Sequence, residues 1–346
     1  MRLSVSARAG TTLVAVLATT SLALSACGGG DDEEPTDDTS VAGAPRAEQS
    51  DVPPTWPLTG LPADDGASAT DHPVLVLKMD NTSASAPQQG LGEADMVVEE
   101  LVEGGSTRLA VFYYTDIPGK VGPVRSMRAS DIGIVKPVDA TMVTSGAAAQ
   151  TIKRLKKADV PFQNESSPGF YRDDSRSAPY NLFTDMGKVA DAVKLEEPAR
   201  PPDYLPFGDA DAEAQGREAA TLTAQFSGSH STSWRFEDDG YVNVDSFAPD
   251  DDQFPADSVL VLRVKVGDAG YVDPAGNPVP ETKFVGKGEA MLFHGGRLVR
   301  GEWSKETEDS PLELRTDAGP LTVPAGHTWI ELVPRDADGG SVEFAE

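Results

Sequence analysis

The chain has 346 residues, a formal net charge of -27 and a single cysteine. A surface this acidic cannot hold a polyanion without a local basic site, which argues against nucleic acid as a partner and against a purely electrostatic grip on anionic lipid. One thiol excludes a disulfide framework, and the length accommodates two domains of ordinary size.

In chain order, Arg2 and Arg8 precede an apolar stretch, Thr11 to Leu24, too short to span a bilayer core of about 30 Å. Residues 1–26 read as a signal peptide. The stretch ends in Leu24-Ser25-Ala26-Cys27, which resembles a lipobox: small residues fit the signal peptidase pocket, and the thiol is presented for thioether linkage to diacylglycerol. Gly28-Gly29-Gly30 and an acidic run follow. Arg2 and Arg8 are not adjacent, so a twin-arginine signal is absent and Sec export is the expectation. One acyl chain holds only weakly, so stable anchoring needs further chains such as palmitate. The expected location is the extracytoplasmic face of the cell membrane. With Cys27 consumed by lipid, no thiol remains for a metal site or nucleophilic catalysis.

Residues 27–55 combine Gly, Asp, Glu, Pro, Thr and Ser with few large apolar side chains, and read as a disordered, self-repelling tether. From Trp56 to 195 the pattern alternates. Val74-Leu75-Val76-Leu77, Met96 to Val102, Arg108 to Tyr114 and Ala140 to Thr144 are strand-like, and helices are expected over Ala147 to Lys157 and Asp185 to Val193, the latter capped by Thr184. This predicts an α/β or α+β domain, a mixed sheet in layers.

Residues 196–206, with Pro198, Pro201, Pro202 and Pro206, read as a proline-rich linker. Residues 207–335 turn β-rich and form a smaller second domain, with strands expected at Thr221 to Phe226, Ser231 to Glu237, Tyr241 to Val244, Val259 to Val266, Glu289 to His294, Arg297 to Trp303 and Thr328 to Val333. His294-Gly295-Gly296-Arg297 predicts a tight hairpin. Residues 336–346 read as an acidic tail.

Several motifs carry a family resemblance. The run Asp95-Met96-Val97-Val98-Glu99, Glu103-Gly104-Gly105-Ser106-Thr107-Arg108, Val121-Gly122-Pro123-Val124-Arg125-Ser126-Met127-Arg128, and Phe170-Tyr171-Arg172-Asp173 through Arg176-Ser177-Ala178-Pro179-Tyr180-Asn181-Leu182 resembles the YerB-like bacterial lipoproteins. Gly286-Lys287-Gly288, Gly295-Gly296, Gly301-Glu302-Trp303 and Gly326-His327-Thr328-Trp329-Ile330 are similar to that family's second domain. The resemblance covers roughly Trp56 to Pro334 and implies a two-domain lipoprotein of unknown function. The chain departs from the family pattern at Thr144 and Tyr180, where a histidine is expected, so a histidine mechanism does not carry over.

Polar residues gather at the glycine and proline turns of the first domain: Glu103, Arg108, Arg125, Arg128 and Asp131, then Tyr171, Arg172, Arg176 and Asn181. Guanidinium groups bind carboxylate or phosphate bidentately, so converging arginines make an anion site. Equally, they can pair with Asp131, Asp173, Asp174, Glu99 and Glu103 to lock loops. Asp80-Asn81, at a strand end, is either a ligand group or an Asx turn. Histidines 72, 230, 294 and 327 are scattered, and read as surface or turn residues rather than a triad or zinc site. No dinucleotide fingerprint or P-loop occurs, so no cofactor is indicated. A divalent cation on Asp80, Glu103 or Asp131 needs only carboxylates. Trp234, Trp303 and Trp329 lie in apolar runs and read as core.

Three functions follow. The first is recognition of an anionic envelope component, namely a glycan, a polymer, a lipid head group or a partner protein. The second is an enzyme on phosphate or pyrophosphate linkages, with Arg108, Arg125, Arg128 and Arg172 stabilising charge and Asp131 or Glu103 as base or metal ligand. It is analogous to the LytR-CpsA-Psr phosphotransferases, without a motif match. The third is an assembly lipoprotein without a pocket. A cleft with carboxylates beside unpaired arginines marks the enzyme, unpaired arginines alone mark the binder, and complete pairing marks the scaffold.

Overall fold

A computed structural model describes residues 54–63, 68–209, 216–273 and 276–346. The signal peptide, Cys27 and all but the last two residues of the expected tether lie outside them.

The first half contributes β1 (Leu75–Asn81), β2 (Met96–Leu101), β3 (Thr107–Tyr113), α1 (Asp131–Val135), β4 (Thr141–Val143), α2 (Ala149–Lys157), β5 (Phe162–Gln163), β6 (Phe170–Arg172), β7 (Leu182–Thr184) and α3 (Met186–Ala192). Next come β8 (Phe207–Gly208), β9 (Arg217–Glu218), β10 (Thr221–Ser227) and β11 (His230–Glu237). The rest are β12 (Gly240–Asn243), β13 (Ser258–Val272), β14 (Pro278–Lys283), β15 (Gly286–His294), β16 (Arg297–Lys305), β17 (Glu313–Thr316), β18 (Gly319–Pro320), β19 (Val323–Pro324), β20 (Thr328–Pro334) and β21 (Ser341–Ala345).

Local chemistry explains the helices. In α2, Thr151 and Leu155 are one turn apart and form the buried stripe, while Arg154, Lys156 and Lys157 in the last turn complement the negative end of the helix dipole. In α3 the cap is Asp185, whose carboxylate accepts a hydrogen bond from the Lys188 N–H at 3.2 Å. The expected cap, Thr184, is instead the last residue of β7 and fully buried. The hairpin at Gly295-Gly296 is present, with φ of 56° and 71° at the two glycines and His294 opposite Arg297, which suits a type I′ turn.

Most strands form one mixed sheet in the order β18-β17-β16-β15-β13-β20-β2-β3-β1-β4-β5. Strand β20 pairs in parallel with β13 on one side and β2 on the other. The sheet therefore runs unbroken across the composition change at 196–206. Its faces are both covered. Val76, Val98, Ala110, Leu260 and Ile330 face one cluster with Ile132, Leu155 and Tyr204. Leu77, Val97, Val111, Val261 and Trp329 face a second with Val189 of α3 and Phe226 and Trp234 of a four-stranded sheet, β12-β11-β10-β21. Two-sided burial explains why the central strands read as apolar runs without alternation. Trp234, Trp303 and Trp329 are core residues.

Residues 336–346 are not a tail. Val342 and Phe344 alternate inward on β21, which completes the small sheet by pairing antiparallel with β10. Glu343 between them and the acidic residues around the strand hid a period-2 pattern. The Phe344 ring lies 6.2 Å from that of Phe293, and the guanidiniums of Arg217 and Arg300 lie over it at 5.5 and 5.4 Å. Because Phe344 is half-buried, Phe344→Ala should cost about 1–3 kcal/mol of stability, less than a fully buried phenylalanine. Denaturant titration checks this; a midpoint unchanged at constant slope would show that β21 is an unanchored end.

Candidate functional site

The site grows from the C-terminal end of β1. Strand β4 pairs with Leu75 to Leu77, and beyond it the segment after Gly122-Pro123 takes over the edge: Asp80 N–H donates to Pro123 O at 3.1 Å and Arg125 N–H to Lys78 O at 2.7 Å. Gly122 has φ 151°, and a Cβ there would stand 2.8 Å from the Phe183 ring and 2.9 Å from Leu182 O, so only glycine allows this approach. The Thr144 hydroxyl ties the junction, accepting from the N–H groups of Met127 and Gly146, each at 3.1 Å.

This geometry brings together Glu103, Arg108, Arg125, Arg128 and Asp131. Glu103 accepts from Arg108 Nη2 at 3.0 Å and from Arg128 through Nε at 2.9 Å and through Nη2. Arg108 Nη1 also donates to Ser126 O at 2.7 Å. Arg125 Nε stands 2.8 Å from Asp80 Oδ2 as an ion pair whose N–H is not aimed at the oxygen, and its guanidinium lies 5.3 Å from the centre of the Tyr180 ring. Asp80 itself closes an Asx turn by accepting from Thr82 N–H at 3.1 Å. Burial and the neighbouring Arg128 push Arg108 down to about 10, with Arg125 adding to the repulsion. Burial raises Glu103, yet Arg108 and Arg128 outweigh it and hold the carboxyl below its ordinary value.

Tyr171, Arg172, Arg176 and Asn181 form a neighbouring group on the β6–β7 hairpin. Arg172 donates to Asn181 Oδ1 at 2.7 Å and to both Glu165 oxygens at 2.9 and 2.8 Å. Arg176 is held by backbone carbonyls, Pro87 O at 2.9 Å and Ala86 O at 3.0 Å, with its guanidinium over Phe183. Tyr171 stacks on Phe183 with ring centres 6.3 Å apart and is 40% exposed. Tyr180, beside Asn181, bridges this group to Arg125.

Beneath the arginines lies a set that the motif reading missed. Lys78 Nζ donates to Glu100 Oε1 at 2.6 Å and Asp131 Oδ1 at 2.7 Å, and all three side chains have 0% exposure. Burial raises the Glu100 carboxyl, with Asp131 adding to the effect and Lys78 opposing it. On the opposite face of the sheet, Glu99 accepts from Thr107 Oγ1 at 2.6 Å, Asn81 Nδ2 at 2.9 Å and Thr232 Oγ1 at 3.0 Å, with His230 Nε2 at 3.0 Å. Glu331, which accepts from Trp234 Nε1 at 2.8 Å, is pushed well up by burial and by the Glu99 charge. The signal was a lysine in Leu75-Val76-Leu77-Lys78-Met79 and paired glutamates in Met96-Val97-Val98-Glu99-Glu100-Leu101: charges inside otherwise apolar strands.

His230, expected at a surface or turn, is thus a partner of a buried carboxylate. Burial opposes its charge, but Glu99 outweighs burial and the histidine is raised. A raised histidine contributes stability that is present below the unfolded value of 6.5 and lost as pH rises through the folded one. Thermal unfolding between pH 6 and 9 should therefore show a decline in the wild type that is shallower in His230→Gln; equal slopes would contradict the pairing.

Among the described residues no cluster of three or more His, Cys, Asp or Glu side chains is arranged to hold a metal ion, and no helix is long and apolar enough to cross a membrane.

Comparison with known proteins places this architecture. A family model described as "Protein of unknown function (DUF3048) N-terminal domain" matches residues 58–199, and one described as the corresponding C-terminal domain matches residues 222–330. YerB of Bacillus subtilis (strain 168), a protein named as a lipoprotein, is 25% identical over 305 residues, covering 84% of this chain and 89% of that protein. The crystal structure of YerB superimposes with a TM-score of 0.69 at 21% identity, covering 84% of this chain and 99% of that one, a likeness in fold. Together the two family models match well over half of the chain, and the protein belongs to the YerB-like, two-domain DUF3048 family of unknown function.

Proposed function

We propose that the protein is a lipid-anchored component of the cell envelope that holds an anionic group at the exposed rim of its arginine cluster. The observation that carries this reading is the charge of the rim: the guanidiniums of Arg108, Arg125 and Arg128 gather around the carboxylates of Glu103 and Asp80. Burial raises the Glu100 carboxyl in the Lys78 triad below, while the rim itself carries three guanidiniums against two carboxylates. Each arginine of the cluster has a carboxylate partner, Arg108 and Arg128 with Glu103 and Arg125 with Asp80, which is the pairing expected of a scaffold, so the binding reading rests on Arg125, the least buried of the three. Its side chain is 21% exposed, with the Nε buried beside Asp80 and the guanidinium carbon 5.3 Å from the centre of the Tyr180 ring.

The same geometry disfavours catalysis by the groups considered for it. Glu103 is held by two arginines, and Asp131 is fully buried between Lys78 and the Arg128 N–H. Neither presents a free carboxylate to a substrate. The ligand class is a phosphate- or carboxylate-bearing glycan, polymer, lipid head group or protein surface, which a planar guanidinium recognises through two parallel hydrogen bonds.

The anchor is Cys27. Cys27→Ser should leave a soluble or uncleaved precursor, and fractionation with lipid labelling reads the result; unchanged labelling of the variant would refute the anchor.

For the site, Arg125→Ala should weaken binding of phosphorylated or carboxylated envelope fragments by roughly 1.5–3 kcal/mol, one to two decades in affinity, with little change in melting temperature. Binding measured by calorimetry over a range of salt, beside thermal unfolding, separates the alternatives. If the wild type binds no such fragment and the variant instead loses about 3–5 kcal/mol of stability, the cluster is a structural lock.

A further inference from the structure

We propose that Lys78 and Asp131 condense spontaneously into an intramolecular amide bond, with Glu100 as the proton carrier, so that the folded protein staples itself without cysteine. The function proposed above does not depend on this bond.

Three features support it. The first is placement. Lys78 on β1 and Glu100 on β2 share one face of the sheet across β3, where the residue opposite Lys78 is Ala110, small enough for the lysine to lean over it. Asp131 enters from the start of α1, and the three side chains meet at 2.6 and 2.7 Å with no exposure to solvent. A reacting pair held in this way has an effective concentration far above any in solution, and the exclusion of water favours condensation over hydrolysis.

The second is the division of labour between the acids. Asp131 Oδ2 accepts the Arg128 backbone N–H at 2.5 Å while its Oδ1 faces Lys78. A backbone donor fixed on one oxygen stabilises the charge that develops there when nitrogen adds to the carboxyl carbon. Burial raises Glu100, which suits a group that must carry a proton and return it.

The third is need. The chain is exported by the reading above, and its one cysteine stands at the lipobox, so no disulfide is available to restrain it.

The reaction balances within the triad. Proton transfer in the ion pair gives the neutral Lys78 amine and the neutral Asp131 acid. Nζ adds to Cγ, the Glu100 acid gives its proton to the departing hydroxyl as its other oxygen takes one from the nitrogen, the Cγ–O bond breaks, and water leaves. The products are an Nζ–Cγ amide and Glu100 in its starting state. No oxidant, reductant or cofactor takes part.

Intact-mass spectrometry of the purified protein after denaturation tests this. The wild type should be lighter than its sequence by one water, and digestion should release a joined peptide pair carrying Lys78 and Asp131. Lys78→Arg should have its full mass. Asp131→Asn should still join, losing ammonia in place of water. Glu100→Gln should slow joining by about a hundredfold or more. Because a variant can also fail to fold, the wild-type mass is decisive: full mass with no joined pair overturns the proposal, and joining at the wild-type rate in Glu100→Gln removes Glu100 from it.

Discussion

Strand β20 has neighbours from both halves of the chain. Its parallel registers, Met96 opposite Thr328 on the β2 side and Ser258 opposite Thr328 on the β13 side, make one sheet of two sequence regions that differ in composition. Parallel pairing demands a sheet covered on both faces, and the molecule supplies this with helices α1 and α2 on one side and α3 with the small sheet on the other. Without β20, the edges of β2 and β13 would be exposed. The proline-rich segment 196–206 changes the composition of the chain while the sheet and both hydrophobic clusters continue past it.

That same sheet places charge where it is costly. Lys78, Glu100 and Asp131 are sealed on one face, Glu99 and Glu331 on the other beside the partly buried His230, and Asp80 and Arg108 sit at the margin where the arginine motifs arrive. Buried ions are tolerated when each finds a partner, and removal of one partner is severe. The motifs therefore serve the fold first: Gly122-Pro123 brings Arg125 to the sheet edge, and Glu103 fixes Arg108 and Arg128. Anion recognition is left to the outward part of Arg125, whose guanidinium lies beside the Tyr180 ring. Thr144 and Tyr180, where the family resemblance leads one to expect histidine, act here as a hydrogen-bonding tie and an aromatic support.

Much of this was legible in the residues. The long strands and α2 announced themselves by apolar runs and periodicity, and the Gly295-Gly296 hairpin by its turn chemistry. Short pieces did not: β5 to β9 have too few residues for a period, and β21 was hidden by Glu343 and the acidic residues around it. The motif arginines were visible as an exception in an acidic chain, but their partners were not, since pairing depends on which strands become neighbours. Asp80 and Arg125 are distant in sequence and meet through the bridge at Val124, while Lys78 and Glu100 meet across β3. A charged residue inside an apolar strand is the sign that could have located the buried triad.

The central claim, that β20 joins both halves into one cooperative structure, is tested most directly by native-state hydrogen exchange along β2, β20 and β13. Their amide protons should exchange through a single opening with the free energy of global unfolding. Exchange of β2 and β3 through an opening of distinctly lower free energy than that of β13 and β15 would contradict it, and would show two units that merely share an edge.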